Sequence, residues 1–176
     1  MEDNWLGKFG GDLDLADRVN SPRGGLLLAG GLEAVLRREG LSFPEPVNVL
    51  ALGAGSAAGE LAYVEELGIG KDRVTLVDRY SESQRKALEA EGVGIVVGGD
   101  MFNFMATTSD DFSLVVGLGI EYVVEADPAR FFDLVSRVVK PEGIVHLSAP
   151  PEVDERYWQE QGLRRIGRVR LILVKD

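Results

Sequence analysis

The sequence predicts a doubly wound α/β fold in which helices cover both faces of a parallel sheet. From Val47 onward, short and fully apolar runs alternate with segments of helical periodicity, which is typical of buried parallel strands joined by crossover helices. The first apolar run leads into a turn rich in Gly and Ala, where such folds bind ligands. At 176 residues, the chain fits one domain with a substantial core.

Residues 1–46 precede the first predicted strand and form an N-terminal helical segment. Trp5, Leu6 and Phe9 make a small apolar cluster, and the apolar spacing over residues 24–39 predicts a helix. We expect this segment to close over a bound ligand, to cover the sheet or to contact a second copy of the chain. These three alternatives stay open at the level of the sequence.

Residues 47–176 carry the alternation of strands and helices. The predicted strands are Val47–Leu52, Arg73–Val77, Gly94–Val97, Phe112–Gly117 and Gly143–Leu147. Near the C-terminus, a short helix over residues 153–161 is expected to precede the last apolar stretch, residues 163–174. That stretch forms either two short strands that turn at Gly167 or one long strand with a bulge there.

Several helix ends are marked by capping residues. Gly40 is placed to end the N-terminal helix, and the segment from Ser81 to Gln84 has the spacing of a capping box. Asp127 and Pro128 supply an N-cap and a first-turn proline to a helix that runs to about residue 139.

The turn after the first strand indicates a cofactor site. Leu52 ends the strand, Gly53, Ala54 and Gly55 follow, and a helix opens at about Ala57. Small residues are needed there because a cofactor must approach the backbone closely, and the helix N-terminus adds unpaired N–H donors. We therefore expect a nucleotide-like cofactor in contact with this turn.

Acidic residues stand at the ends of the next two predicted strands. Asp78 ends the second strand, and its carboxylate can accept hydrogen bonds from both hydroxyls of a ribose. Asp100 follows the third strand and can accept from an adenine amino group. Either acid alone is commonly a loop or cap residue, but three successive strand ends agree on the same ligand.

These motifs resemble the class I S-adenosylmethionine-dependent methyltransferases between about Val47 and Pro150. The stretch Leu50-Ala51-Leu52-Gly53-Ala54-Gly55-Ser56-Ala57 is similar to the glycine-rich first motif of that family, and the stretch from Phe131 to Gly143 is similar to its helix and Leu-Lys-Pro-Gly-Gly turn. The resemblance implies a sheet with an antiparallel C-terminal strand and a variable N-terminal lid over residues 1–46. It also implies that S-adenosylmethionine binds at Leu52, Gly53, Ala54, Gly55, Asp78, Arg79, Asp100, Met101 and Gly117.

Several positions depart from the family pattern. Ala51 stands where the family often has an acid, Ser113 where it favours Asp, and Glu142 interrupts the Gly-Gly turn. A non-catalytic relative that acts through binding or assembly is therefore a second hypothesis. An NAD(P) oxidoreductase is a third, because Gly53-x-Gly55-x-x-Ala58 also satisfies the dinucleotide fingerprint.

Methyl transfer from a sulfonium needs little acid–base catalysis. The sequence offers three candidates for catalytic residues. Glu121, a possible general base, and Tyr122, for acceptor packing, follow the fourth strand, where the resemblance places the acceptor. His146, the single histidine, lies in the fifth strand and has the ordinary pKa of a base near neutrality. The competing interpretations are a first-turn surface residue for Glu121 and core packing for Tyr122 and His146.

Composition limits the partners. The net charge of −10 disfavours nucleic acid, and the one basic concentration, Arg164, Arg165, Arg168 and Arg170, fits a charged edge strand. There are no cysteines and no apolar run long enough for a membrane span, so cytoplasmic location is expected. We expect no metal site, a small-molecule acceptor methylated at oxygen or nitrogen, and a homodimer.

Overall fold

The computed structural model describes residues 21–167 and 169–176. Its helices are α1 (Pro22–Glu39), α2 (Ala58–Glu66), α3 (Glu82–Ala90), α4 (Met101–Thr107), α5 (Glu121–Ala126), α6 (Pro128–Val138) and α7 (Arg156–Gln159). Its strands are β1 (Val49–Leu52), β2 (Val74–Asp78), β3 (Ile95–Gly98), β4 (Phe112–Gly117), β5 (Val139–Leu147), β6 (Leu163–Arg165) and β7 (Leu171–Lys175), and one 3₁₀ turn (Lys71–Arg73) precedes β2. The expectations for Trp5, Leu6, Phe9 and Arg168 lie outside the described residues.

The seven strands form one mixed sheet in the order β3-β2-β1-β4-β5-β7-β6. β1 pairs in parallel with both β2 and β4, so the strand order reverses between β1 and β4. β7 runs antiparallel to β5 and pairs with β6 in a hairpin. The predicted doubly wound architecture with an antiparallel C-terminal strand is confirmed.

Helices cover both faces of the sheet because the strand residues alternate between two apolar clusters. One cluster joins α1 and α2 to one face, where Ala51 and Ile144 point. The other joins α4 and α6 to the opposite face, where Leu50 and Val145 point. Four strands are buried along most of their length, which explains the absence of polar alternation in their sequences.

The predicted caps explain where several helices begin and end. Gly40 ends α1 in the left-handed conformation, Ser81 and Gln84 form the capping box of α3, and the Asp127 side chain accepts from Arg130 N at the start of α6. Close contact fixes the crossing of α1 and α2, because a Cβ on Gly25 would lie 2.1 Å from the carbonyl oxygen of Gly59.

The C-terminal half differs from the prediction in two places. Of the two predicted alternatives for residues 163–174, the structure shows the two short strands, β6 and β7, paired as a hairpin. The preceding helix α7, however, is only four residues long. β5 begins at Val139, four residues before the predicted strand, because Val139 pairs with Phe112 ahead of a register shift in β4. Glu142, with a φ of 62°, therefore lies within the irregular start of β5 rather than in a turn that precedes it.

No helix in the described part of the chain combines the length and the apolar character that a membrane crossing requires.

Candidate functional site

A cleft of about 520 Å³ opens at the carboxyl edge of the sheet, beside the point where the strand order reverses. Open α/β sheets bind ligands at this position. The cleft is lined by Gly53, Val77, Asp78, Arg79, Gly99, Asp100, Met101, Phe102, Leu118, Gly119, Ile120, Tyr122 and Val123. It therefore combines the ends of β1, β2 and β3 with the segment that follows β4.

The glycine-rich turn forms one wall of the cleft. Gly53 has a φ of 64°, and its N–H donates to the carbonyl oxygen of Val77 at 2.8 Å, which ties the turn to β2. A Cβ on Gly53 would lie 2.5 Å from Cγ2 of Ile120. Gly55 has a φ of 52°, but a Cβ there would meet nothing within 4 Å. Packing against Ile120 thus explains why position 53 is a glycine, whereas open space lies beside the backbone of Gly55.

Asp78 stands at the end of β2 and faces the glycine-rich turn. Its Oδ2 accepts from Gly55 N at 2.7 Å, and its Oδ1 accepts from Arg79 N at 2.6 Å. A carboxylate has about four lone-pair sites, so two of them remain for a ligand. The acid therefore shapes the turn and still presents acceptors to the cleft.

Asp100 lies across the cleft as the N-cap of α4. Its Oδ1 accepts from Asn103 N at 3.0 Å, which is the cap interaction that the sequence allowed for. The same exposed side chain lines the cleft. The two interpretations of Asp100, cap and ligand contact, are thus geometrically compatible.

The N-terminus of α2 follows directly from the glycine-rich turn. Its N-cap residue, Ala57, has a φ of 63° and provides no side-chain acceptor. An uncapped helix start leaves N–H donors and a partial positive charge for an anionic group. One turn further, Glu60 is 1% exposed, and its Oε1 has no hydrogen-bond partner.

Glu60 is a functional candidate that the sequence analysis missed. Burial raises the pKa of its carboxyl to about 8, the charge of Asp78 adds to the rise, and a hydrogen bond with its own backbone opposes it. Nearby, the Tyr80 hydroxyl is also without a partner, and burial raises its pKa. The one feature of the sequence that indicates this buried pair is that Glu60, an acid, stands among the apolar positions in the first turn of α2.

The segment after β4 is fixed by a hydrogen-bond network. Oε1 of Glu121 accepts from Ser148 Oγ at 2.6 Å and from Ala149 N at 2.8 Å. Ser148 Oγ in turn accepts from Gly119 N at 2.9 Å. Glu121 is 7% exposed and does not line the cleft, because this network turns its carboxylate toward the end of β5. Tyr122 does line the cleft and is 51% exposed.

The structure agrees with the core-packing interpretation of His146 and does not bring this residue to the cleft. The imidazole is fully buried on the α1–α2 face of the sheet, where its Nδ1 and the Tyr63 hydroxyl share a hydrogen bond of 2.7 Å. Burial lowers the pKa of His146 to about 3, and the nearby charge of Arg170 lowers it further. A neutral histidine in the core cannot reach the cleft as a base, so packing determines its position.

The predicted cofactor-binding residues fall into two groups. Gly53, Asp78, Arg79, Asp100 and Met101 line the cleft, and Gly55 contacts Asp78. Leu52, Ala54 and Gly117 do not line it and are buried beneath it. Gly117 is close-packed, since a Cβ there would lie 2.4 Å from Cδ1 of Ile120. The cofactor-binding role of the residues in both groups stays a prediction.

Ala51 and Ser113, two of the three departures from the family pattern, do not line the cleft. Ala51 is fully buried among apolar side chains on the α1–α2 face. Ser113 lies at the amino edge of the sheet, where its hydroxyl is 2.6 Å from the carbonyl oxygen of Pro44 and 3.0 Å from that of Pro46. Ser113 thus anchors the entry into β1. Within the described residues, no group of three or more acidic or histidine side chains is arranged to hold a metal ion.

The sequence matches no protein-family model and none of the curated proteins with which it was compared. Its structure is similar to that of the N-methyltransferase NodS from Bradyrhizobium japonicum, with a TM-score of 0.56 and 17% identity over 81% of this chain and 90% of that one. A methyltransferase from Clostridium acetobutylicum gives a TM-score of 0.53 and 18% identity over 82% and 57% of the two chains. The sugar N-methyltransferase KedS8 from a Streptoalloteichus species gives a TM-score of 0.51 and 21% identity, over 72% of this chain and 50% of that one.

The chain spans about half the length of several matched structures: 57% of the Clostridium acetobutylicum methyltransferase, 50% of KedS8 and 44% of a sarcosine dimethylglycine methyltransferase from Galdieria sulphuraria. At 17–21% identity the similarity concerns the fold. The sheet order, the antiparallel β7 and the cleft beside β1 agree with that similarity. The chain has the fold of the class I S-adenosylmethionine-dependent methyltransferases.

Proposed function

We propose that the chain binds S-adenosylmethionine in the cleft and transfers its methyl group to an oxygen or nitrogen of a small molecule. The observation that carries this proposal is the convergence of Gly53, Asp78 and Asp100 on one cleft. Each stands at or just after the end of a different parallel strand, and each has the chemistry expected for one part of an adenosine-containing ligand.

The residues of the cleft fit the cofactor. Asp78 has acceptor sites left for the ribose hydroxyls, and Asp100 offers a carboxylate to the adenine amino group. The open space beside Gly55 allows a ligand to approach the backbone. Met101 and Phe102 add apolar surface for the adenine ring.

The methionine part of the cofactor requires groups that compensate a carboxylate. The start of α2 provides them, because Ala57 leaves the first N–H groups of this nine-residue helix without a side-chain cap. This role is proposed for the helix start together with the adjacent glycine-rich turn. It would place the sulfonium near the end of β1, beside the segment that follows β4.

The cofactor supplies an electrophilic methyl group, and the chain has to align the acceptor with it and exclude water. Orientation of this kind can lower a barrier by up to about 7–11 kcal/mol. Tyr122 and Val123 line the cleft on the side where the acceptor would enter. Glu121 accepts two hydrogen bonds from the end of β5, so we propose a positioning role for it in place of the expected general base.

A non-catalytic binding protein is the second candidate. The observation that favours it is the engagement of Glu121 with Ser148 and Ala149, which keeps this acid–base group out of the cleft. Acceptors that are already nucleophilic do not need such a group, so both candidates remain compatible with the geometry.

Calorimetric titration with S-adenosylmethionine, S-adenosylhomocysteine and NADP⁺ tests the proposal. We expect affinity of about micromolar for the two sulfur ligands. Asp78→Ala should abolish it, whereas Asp110→Ala, a change in an exposed loop outside the cleft, should leave it unchanged. Binding of NADP⁺ alone would favour an oxidoreductase, and no binding of any ligand would contradict the cofactor assignment.

If the sulfur ligands bind, formation of S-adenosylhomocysteine in the presence of small amines and hydroxyl compounds separates the enzyme from the non-catalytic candidate. Sedimentation at several protein concentrations would test the expected homodimer.

A further inference from the structure

A second concavity lies between α1 and the β6–β7 hairpin, and we call it the α1–hairpin groove. It has a volume of about 340 Å³ and is lined by Leu27, Gly31, Val35, Arg38, Gly167, Val169, Arg170 and Ile172. Among the described residues, it shares none of its lining with the cofactor cleft. Its volume lies in the range of small-ligand sites and its walls are mainly apolar, as in such sites.

The rim of the groove exposes apolar side chains to solvent. Leu27 is 66% exposed and Val169 is 84% exposed, on opposite sides of the opening. Val35 and Ile172 continue this apolar surface inward. An apolar chain placed between these residues would cover surface that now contacts water, which is favourable.

Arg170 supplies a cation at the same opening. The Arg170 residue is half-buried, and among the described residues no carboxylate lies within ion-pair distance of it. Its Nη1 lies 3.5 Å from the carbonyl oxygen of Leu27, which is a long contact for a hydrogen bond. A partly desolvated guanidinium without an anion is unfavourable, and a bound carboxylate would compensate it with paired hydrogen bonds.

The position of this guanidinium depends on a glycine inside α1. A Cβ on Gly31 would lie 2.8 Å from Nη1 of Arg170, so a larger residue would displace the guanidinium. Glycine inside a helix is unfavourable relative to alanine. The absence of a side chain at Gly31 therefore leaves the space that the Arg170 guanidinium occupies. Arg38, on the same wall, donates to the carbonyl oxygen of Ile166 at 2.8 Å, and its charge is already compensated by an ion pair with Glu39 at 2.8 Å.

We propose that the α1–hairpin groove binds a small amphiphilic carboxylate, with the carboxylate on Arg170 and the apolar chain between Leu27 and Val169. The groove joins one partly buried cation to an apolar channel whose volume of about 340 Å³ lies in the range of small-ligand sites. This inference stands independently of the proposed methyl transfer because it uses none of the cleft residues.

Calorimetric titration of the full chain with decanoate, below the concentration at which it forms micelles, tests the proposal. We expect submillimolar affinity, with decanol and butyrate binding at least about tenfold more weakly because each lacks one of the two features. Arg170→Gln should weaken decanoate binding by about tenfold or more. Arg73→Gln, which changes an exposed arginine outside the groove, should bind like the unaltered chain.

A second variant guards against a folding defect in Arg170→Gln. Val169→Asp changes a side chain that is 84% exposed, leaves Arg170 in place, and should also weaken decanoate binding. Circular dichroism melting curves of each variant establish that it is folded. The proposal is overturned if the unaltered chain does not bind decanoate, if both groove variants bind it normally, or if decanol binds equally well. It is also overturned if the chain self-associates in sedimentation and Val169→Asp abolishes that association, because a second copy of the chain then occupies the groove.

Discussion

The backbone N–H of Gly55 donates a hydrogen bond of 2.7 Å to Oδ2 of Asp78. This bond joins the glycine-rich turn after β1 to the acid that ends β2. The two motifs that point to a cofactor are thus parts of one structural unit, and the acid helps to hold the turn open for a ligand. A change at Asp78 should therefore affect ligand binding both directly and through the turn.

We predict that Asp78→Asn weakens binding of adenosine by about tenfold to a hundredfold, because the amide can no longer accept from both ribose hydroxyls and from Gly55. Binding of 2′,3′-dideoxyadenosine, which lacks those hydroxyls, should already be weak and should change little in the variant. Calorimetry with both nucleosides measures the coupling between the side chain and the hydroxyls. Equal losses for both would contradict a ribose contact.

Gly53 and Gly55 are predicted to respond differently to alanine. Gly53→Ala should destabilise the fold by about 2–5 kcal/mol, because it adds left-handed strain and places Cβ 2.5 Å from Ile120. Gly55→Ala meets open space and should cost about 1–2 kcal/mol. Urea unfolding measures both changes. Ile120→Ala in the Gly53→Ala background should recover the part due to contact, and no recovery would refute this explanation.

The fold was predictable because its local signals and its long-range pairing agree. Strand β4, Phe112–Gly117, was predicted with its observed bounds, and Gly40 marked the end of α1. The start of β5 was missed because Pro141 and Glu142 have the local character of a turn. Pairing of Val139 with Phe112, across the sheet, determines that they belong to an irregular strand. Such non-local pairing leaves no local pattern in the sequence.

The site was less predictable because a sequence does not give the direction of a side chain. The acids after β2 and β3 were placed correctly by topology alone, since carboxyl ends of parallel strands share one edge. His146 lies on a strand whose successive residues face opposite sides, so its alternation with Ile144 and Val145 places it in the α1–α2 core. Glu121 depends on Ser148, a partner 27 residues away.

We predict that Glu121 stabilises the segment after β4 rather than acting as a base. Glu121→Gln and Ser148→Ala should each destabilise the fold by about 1–3 kcal/mol, because each breaks hydrogen bonds of a buried network. The double variant should lose less than the sum of the two, since both act on one network. Urea unfolding of the four proteins tests this cycle. Additive losses would contradict a shared network, and inactivity of stable Glu121→Gln would restore the general-base hypothesis.

The buried His146 should make stability fall in acid. Its pKa is lowered from 6.5 to about 3 in the folded state, so the unfolded chain binds the extra proton between these pH values. Stability should therefore decrease as the pH falls from 6.5 to 3, by up to about 1.4 kcal/mol per pH unit from this group. His146→Gln can keep a hydrogen bond to Tyr63 but does not titrate, and it should remove this slope. Urea unfolding at a series of pH values measures it; an unchanged slope would show that another group is responsible.

Glu60 should have the opposite effect. Its pKa is raised from 4.5 to about 8, so the folded chain holds the proton in that range. The protonated Glu60 contributes its whole stabilisation below pH 4.5. This stabilisation should be lost as the pH rises from 4.5 to 8, again by up to about 1.4 kcal/mol per pH unit. Glu60→Gln should therefore be more stable than the unaltered chain at pH 8 and similar to it at pH 4.5.

Between pH 4.5 and 6.5 the contributions of Glu60 and His146 have opposite signs and nearly cancel. The unaltered chain should therefore show little change in stability there from these two groups. In the Glu60→Gln variant, stability should rise with pH up to 6.5. In the His146→Gln variant, stability should fall between pH 4.5 and pH 8. Measuring both variants across pH 3–9 separates the two groups, because a common effect on the fold would shift both curves without reversing their slopes.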